Sequence, residues 1–185
     1  GSNLIWTNNY GTIVADCGTT GGVNVTFYVR DECGNVDSTT ARFNIRDTIA
    51  PSWEINPQVL NLECDGTVDP YTQIQSWLGT VGGGEAKDSC SLVRYSNNFT
   101  VLSGGCSSLT GSALVTFTAT DACGNSSTRQ ATVTIVDRTA PVITIPAKDT
   151  IVDCDGLGNT AALASWLASH GRSQAADACS GVESW

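Results

Sequence analysis

From residue 23 onward apolar and polar side chains alternate: Val23, Val25, Phe27 and Val29 fall on one face, and Asn24, Thr26, Tyr28 and Arg30 on the other. Strict period two marks a strand with one buried face. The run ends in the turn-forming stretch Asp31-Glu32-Cys33-Gly34-Asn35, and Ala41, Phe43 and Ile45 resume the alternation, which predicts a long hairpin. Val115, Phe117 and Ala119, followed by Ala131, Val133 and Ile135, predict a second one. One kind of segment breaks the pattern. Leu163, Trp166, Leu167 and His170 fall at i, i+3, i+4 and i+7 between Asn159, a cap candidate, and Gly171, which predicts a short helix. Its counterpart is Ile74, Trp77 and Leu78 after Asp69-Pro70, with Asp69 as the cap and Pro70 at the first helical position. Trp77 and Trp166 are expected to anchor each helix on the sheet.

Laid on itself, the chain repeats. Cys33 to Cys123 and Cys64 to Cys154 are each 90 residues apart, while Cys17 to Cys106 and Cys90 to Cys179 are each 89 apart. The flanks agree: Asp31-Glu32-Cys33-Gly34-Asn35 answers Asp121-Ala122-Cys123-Gly124-Asn125, and Asp47-Thr48-Ile49-Ala50-Pro51 answers Asp137-Arg138-Thr139-Ala140-Pro141. Trp6-Thr7-Asn8-Asn9-Tyr10 answers Tyr95-Ser96-Asn97-Asn98-Phe99. A fixed period of this length signals a repeat architecture, here two periods of strand-rich sequence.

Charge and cysteine content narrow the function classes. With 18 acidic and 9 basic residues the net charge is −9, which disfavours nucleic acid and anionic lipid as partners. No apolar run is long enough for membrane insertion. Eight cysteines with a single histidine and no Cys-x-x-Cys pair point to disulfides and not to zinc, and hence to an exported, extracellular protein. Eight thiols allow 105 pairings. If each bridge joins like positions within one period and leaves no orphan, the simplest set is Cys17–Cys33, Cys64–Cys90, Cys106–Cys123 and Cys154–Cys179. Bonding Cys90 to Cys106 would instead strand Cys17 and Cys179.

The stretch Val115-Thr-Phe-Thr-Ala-Thr-Asp-Ala-Cys-Gly-Asn125, then Ala131-Thr-Val-Thr-Ile-Val-Asp137, then Ala140-Pro141-Val-Ile-Thr-Ile-Pro146 resembles the hyalin-repeat (HYR) domain. The version with Trp-Thr-Asn-Asn-Tyr, paired cysteines and an inserted Trp-Leu helix is similar to repeats of very large surface proteins of gliding and related Bacteroidetes-type bacteria, exported by the type IX system. The resemblance implies an all-β fold. It predicts tandem immunoglobulin-like β-sandwich repeats of about 90 residues, each with a short helix and two disulfides. It also sets the phase: 48–137 is one complete repeat, 1–47 the second half of one, and 138–185 the first half of the next. The implied function is a structural repeat of a cell-surface filament or adhesin stalk that supports adhesion or gliding. Its partners would be neighbouring repeats or identical subunits. Neither a sorting domain nor a ligand-binding tip is present, so the adhesive ligand is not implied. Asp37-Ser38-Thr39, Asp47-Thr48-Ile49 and Asp149-Thr150-Ile151 match the O-glycosylation signal of the same bacteria, making Ser38, Thr48 and Thr150 the expected glycan sites.

Three further readings attach to particular residues. Asp31, Asn35, Asp47 and Asp88 recur as Asp121, Asn125, Asp137 and Asp177, a set that suits either calcium at repeat junctions or side chains capping the hairpin turns. Clustering of Trp6, Trp53, Tyr71 and Trp185 on one face would indicate the alternative function, a carbohydrate- or protein-binding module for surface glycans. No catalytic residue is expected: His170 is unsupported by any counterpart, and every cysteine has a structural partner in prospect.

Overall fold

The computed structural model describes residues 3–107 and 109–179; Trp185 lies outside them. The elements come in one order, twice. β1 (Ile5–Asn8) and β2 (Val14–Ala15) lead into the hairpin of β3 (Gly21–Arg30) and β4 (Val36–Ile45). Then follow β5 (Ser52–Ile55), β6 (Leu60–Glu63), α1 (Pro70–Gly79), a 3-10 turn at Val81–Gly83, and β7 (Glu85–Lys87). In the second series come β8 (Arg94–Asn97), β9 (Ser103–Gly104) and the hairpin of β10 (Gly111–Thr120) and β11 (Ser126–Val136). β12 (Val142–Ile145), α2 (Thr160–Ala168), a 3-10 turn at His170–Arg172 and β13 (Gln174–Ala176) complete it. β6 alone has no second copy among the described residues: 150–153 form no strand.

The chain folds into two compact units, each gathered from three stretches. The first takes Gly1–Pro57, Gly83–Asn98 and Thr116–Gln130. Its main sheet is centred on β3, which pairs with β4 along its whole length, Gly21 opposite Ile45 through Arg30 opposite Val36, and with β1 and β2. β5 pairs with β7, and β8 with Phe117–Thr120 of β10. The second unit takes Gln58–Gly82, Phe99–Val115 and Ala131–Trp185. There β6 runs parallel to the end of β11, Leu60 opposite Val133 through Glu63 opposite Val136, while β9 pairs with β10 and β12 with β13.

Both helices lie where the periodicity predicts, and their ends differ. Asp69 caps α1 through its carboxylate, which accepts from the backbone N–H of Tyr71 (3.1 Å) and Thr72 (3.2 Å). Hydrogen bonds from the Thr72 hydroxyl and these amides hold the Asp69 carboxyl below its ordinary pKa. Asn159 does not cap α2. It sits at φ 54°, and its amide instead ties Asp155 N and Asp153 O into the preceding loop. His170 is not part of the α-helix either. It falls in the 3-10 turn at φ 50°, exposed, where the first copy has Val81 at φ 55°. Each tryptophan ties its helix to the strand-side loop: Trp77 Nε1 donates to Gln58 O (2.9 Å) and Trp166 Nε1 to Lys148 O (3.0 Å).

Equivalent positions differ in cover. Phe117 is 1 % exposed and Phe27 39 %; Val133 is 0 % and Phe43 59 %; Ile135 is 2 % and Ile45 37 %. In the helices the inequality reverses, with Ile74 at 0 % and Leu163 at 53 %. For β11 and α1 the pairing supplies the reason. β11 has β6 at its edge, and α1 packs on β6; β4 has only β3 as a neighbour among the described residues, and α2 has no strand corresponding to β6. Burying a side chain of this size is worth roughly 1.5–3 kcal/mol, so each half-covered face gives up several such contributions. In the dilute chain, Ile135→Ala should therefore cost about 3 kcal/mol and Ile45→Ala under about 1 kcal/mol, although the two occupy the same place in the repeat. Urea unfolding of both variants measures the difference; equal costs would contradict it.

Candidate functional site: cysteines and carboxylates at the hairpin turn

The turn between β10 and β11 is organised by one carboxylate. Asp121 Oδ1 accepts from the amides of Cys123 (2.8 Å) and Asn125 (2.9 Å), and Oδ2 accepts from Asn125 Nδ2 (2.8 Å). Gly124, at φ 91°, supplies the left-handed residue that closes the turn. Burial of Asp121 raises its pKa, but the hydrogen bonds from Asn125, Cys123 and Gly124 together outweigh that and leave it below the ordinary value. Asp31 and Asn35 repeat the device in the first hairpin, where the Asn35 side chain and backbone lower the Asp31 pKa.

This turn presents Cys123 to the loop carrying Cys17, and the two form a disulfide with Cα atoms 5.1 Å apart. Sequence reading missed the residue that shapes that loop. Thr20, buried, donates its hydroxyl to Cys17 O (2.5 Å) and accepts from Cys17 N (3.2 Å). Thr110, also buried, holds the loop that follows Cys106 by bonding Ser107; a threonine before the glycine that opens each long strand was the available signal. Beside Cys17, Thr19 donates its N–H (2.9 Å) and hydroxyl (3.1 Å) to Cys90 O. Gly18, at φ 58°, lies so close that an added Cβ would fall 2.4 Å from that carbonyl. In the other unit Cys64 bonds Cys179, with Cα atoms 5.8 Å apart, and Cys64 N donates to Val136 O (2.8 Å).

The pairing inferred by elimination is therefore corrected at every cysteine. Cys17 joins Cys123 and not Cys33; Cys64 joins Cys179 and not Cys90. Cys33, Cys90, Cys106 and Cys154 remain thiols, so neither Cys106–Cys123 nor Cys154–Cys179 exists. The two bridges do not staple each period internally: each joins one period to the next, over 106 and 115 residues. The chain-entropy estimate for loops this long is about 4–5 kcal/mol each, against about 3 for loops of 15 to 25 residues.

Of the proposed metal ligands, Asp47, Asp88, Asp121 and Asn125 are brought together, Asn125 Nδ2 donating to Asp47 O (3.3 Å). Ligand atoms of Asp47, Asp88 and Cys90, and of Asp47, Asp121 and Cys123, lie within 4.8 Å of one another. Asp137 and Asp177 gather around Cys179 in the same way, whereas Asp31 and Asn35 join no such group among the described residues. Each of these carboxylates already serves the backbone through one oxygen: Asp47 Oδ1 accepts from Ile49, Asp88 Oδ1 from Cys90 and Ser91, Asp137 Oδ1 from Thr139, and Asp177 Oδ1 from Cys179. Calcium needs six to eight oxygens. Among the described residues, Asp47 Oδ2 is the buried carboxylate oxygen left without a hydrogen bond.

Ser38, Thr48 and Thr150 are exposed, as glycan attachment requires. Trp53 packs at 5.8 Å against Tyr95, rings tilted by 54°, while Trp6 and Tyr71 are exposed and join no ring pair among the described residues.

A depressed carboxyl pKa stabilises the fold above the ordinary value of 3.8 and ceases to do so as pH falls through the lower, folded value. The melting temperature should thus decline on acidification below about pH 4. Asp121→Ala should lower it at neutral pH and flatten that part of the profile; a profile unchanged by the substitution would contradict the role given to Asp121.

No family model matches the chain, and no curated protein matches it closely. Among solved structures it is similar to the protocadherin gammaB7 EC3-6 cis-dimer structure, at 16 % identity over 79 % of this chain and 45 % of that one, with a TM-score of 0.35. A Drosophila N-cadherin EC1-4 crystal structure matches at 14 % identity over 97 % of this chain and 51 % of that one, also with a TM-score of 0.35. The chain spans about half the length of each.

Proposed function

We propose that the chain is a load-bearing structural repeat of an extracellular filament or adhesin stalk, carried on a cell surface and joined to like repeats on either side. The carrying observation is that both disulfides connect a cysteine of one 90-residue period to a cysteine of the next. A bond across periods shortens the covalent path along the chain and carries tension past the residues it bridges. Disulfides also support an oxidising, extracellular setting. The phase in which 48–137 is the complete unit, an immunoglobulin-like sandwich of the HYR kind, rests on the sequence motifs. The likeness to type IX-exported Bacteroidetes-type surface repeats rests on the sequence motifs, as do the glycan sites at Ser38, Thr48 and Thr150.

Stretching the single chain between its ends tests the staple. In the oxidised chain the shortest covalent path runs through Cys64–Cys179 and bypasses 115 residues. Reduction should lengthen the maximal extension by about 400 Å, at roughly 3.5 Å per residue. Equal extension with and without reductant would overturn the reading.

A calcium titration decides between the two uses of the carboxylate cluster. Turn capping accounts for Asp88, Asp121 and Asn125 and predicts an unchanged melting temperature. A rise that Asp47→Ala abolishes would assign a cation to Asp47 Oδ2.

A further inference from the structure

β4 presents an open strand edge. It pairs with β3 from Val36 to Ile45 without a register shift, and among the described residues nothing pairs with its other side. An edge protected against pairing carries an inward charge, a proline or a bulge. From Ala41 to Arg46 this edge has none of these. Ala41, Phe43 and Ile45 make up the face whose equivalents in β11 are buried, while Arg42 and Arg46 fall on the opposite, outward face.

The equivalent edge of β11 is occupied, and it supplies a template. β6 lies along it in parallel, Leu60 opposite Val133 through Glu63 opposite Val136, and Val133 and Ile135 are buried. There the carboxylate of the incoming strand is met from beyond β11: Arg138 Nη1 donates to Glu63 Oε2 at 3.1 Å. In the first hairpin the equivalent of Arg138 is Thr48, and the cations stand along the edge itself, Arg42 in the place of Thr132 and Arg46 in that of Val136. Arg42, Asn44 and Arg46, with Val14, Asp16 and Gly22, line a hollow of about 530 Å³ at this edge. Neither guanidinium forms an ion pair among the described residues, with Asp16 or otherwise.

We infer that this edge accepts a further strand, parallel to β4 and supplied by another repeat of this kind, with aliphatic side chains against Phe43 and Ile45 and carboxylates against Arg42 and Arg46. The required pattern is written in the sequence. One period after residues 59–63, residues 149–153 read Asp-Thr-Ile-Val-Asp. In the template register a strand of that sequence sets its threonine and valine opposite Phe43 and Ile45, and its second aspartate opposite Arg46. One step earlier its first aspartate falls opposite Arg42. Main-chain hydrogen bonds along the open edge supply affinity, and the alternate side chains supply selectivity. The inference rests on the repeat reading above and concerns the edge alone, so it is the same wherever along a polypeptide the donor repeat stands.

The test is titration of the dilute, ¹⁵N-labelled 185-residue chain with the capped peptide Ala-Lys-Asp-Thr-Ile-Val-Asp, the sequence of residues 147–153. Amide signals of residues 42–46 should shift in a saturable way, and their hydrogen exchange should slow. A spin label on the amino terminus of the peptide should broaden Arg42 more than Arg46, as a parallel strand requires. Replacing both aspartates of the peptide by asparagine should weaken binding about three- to tenfold at low salt. The double variant Arg42→Gln/Arg46→Gln should keep the melting temperature of the unaltered chain and bind the aspartate and asparagine peptides equally. No binding at β4, shifts confined to another surface, stronger broadening at Arg46, or equal binding of both peptides by the unaltered chain would overturn the inference. The internal disulfides take no part in this titration, so it and the stretching experiment fail separately.

Discussion

Leu60–Glu63 hydrogen-bonds in parallel to Val133–Val136, residues 73 positions later in the chain, and the rest of the fold follows from that reach. A parallel pair cannot be closed by a tight turn. Everything between the two strands, including α1, β7 and the start of the second period, must be accommodated before the ladder can form. Once it has formed, Cys64 stands beside the end of β11 with its amide on Val136, and α1 covers the strand that pairs there. The buried residues Val115, Val133, Ile135 and Ile74 belong to the unit this ladder organises. Where the ladder has no counterpart, at β4 and at residues 150–153, the same residue types stand in water.

Much of this was legible in the sequence because period and composition are local properties. The hairpins, both helices, the Asp69 cap and the turn chemistry of Asp121 and Asn125 depend on residues within a few positions of one another, and alternation or spacing reports them directly. Asn159 and His170 failed for a local reason as well. Gly158 and Gly171 flank left-handed residues: at a positive φ Asn159 makes no side-chain cap, and His170 leaves the helix that periodicity would grant it.

The disulfides were not legible, because spacing ranks pairings by proximity along the chain and loop entropy scarcely penalises distance. Lengthening a closed loop from about 20 to about 100 residues adds only on the order of 1–2 kcal/mol to the closure cost. What decides the pairing is which turn faces which loop. Cys123 is presented at the tip of a turn held by Asp121, against a loop whose Gly18 and Thr19 pack on Cys90, and such an encounter is tertiary. The repeat still carried a usable clue. A pairing rule for a periodic chain needs only to be invariant under translation, and bonds within a period satisfy that condition no better than bonds between periods.

The two covalent loops, 17 to 123 and 64 to 179, overlap. Between residues 17 and 179 there is accordingly no peptide bond whose single cleavage separates the molecule, since at least one disulfide spans every position and both span the stretch from 64 to 123. Backbone continuity becomes redundant over most of the chain. Where a protease cuts an exposed loop, a nick becomes a local scar instead of a severed strand.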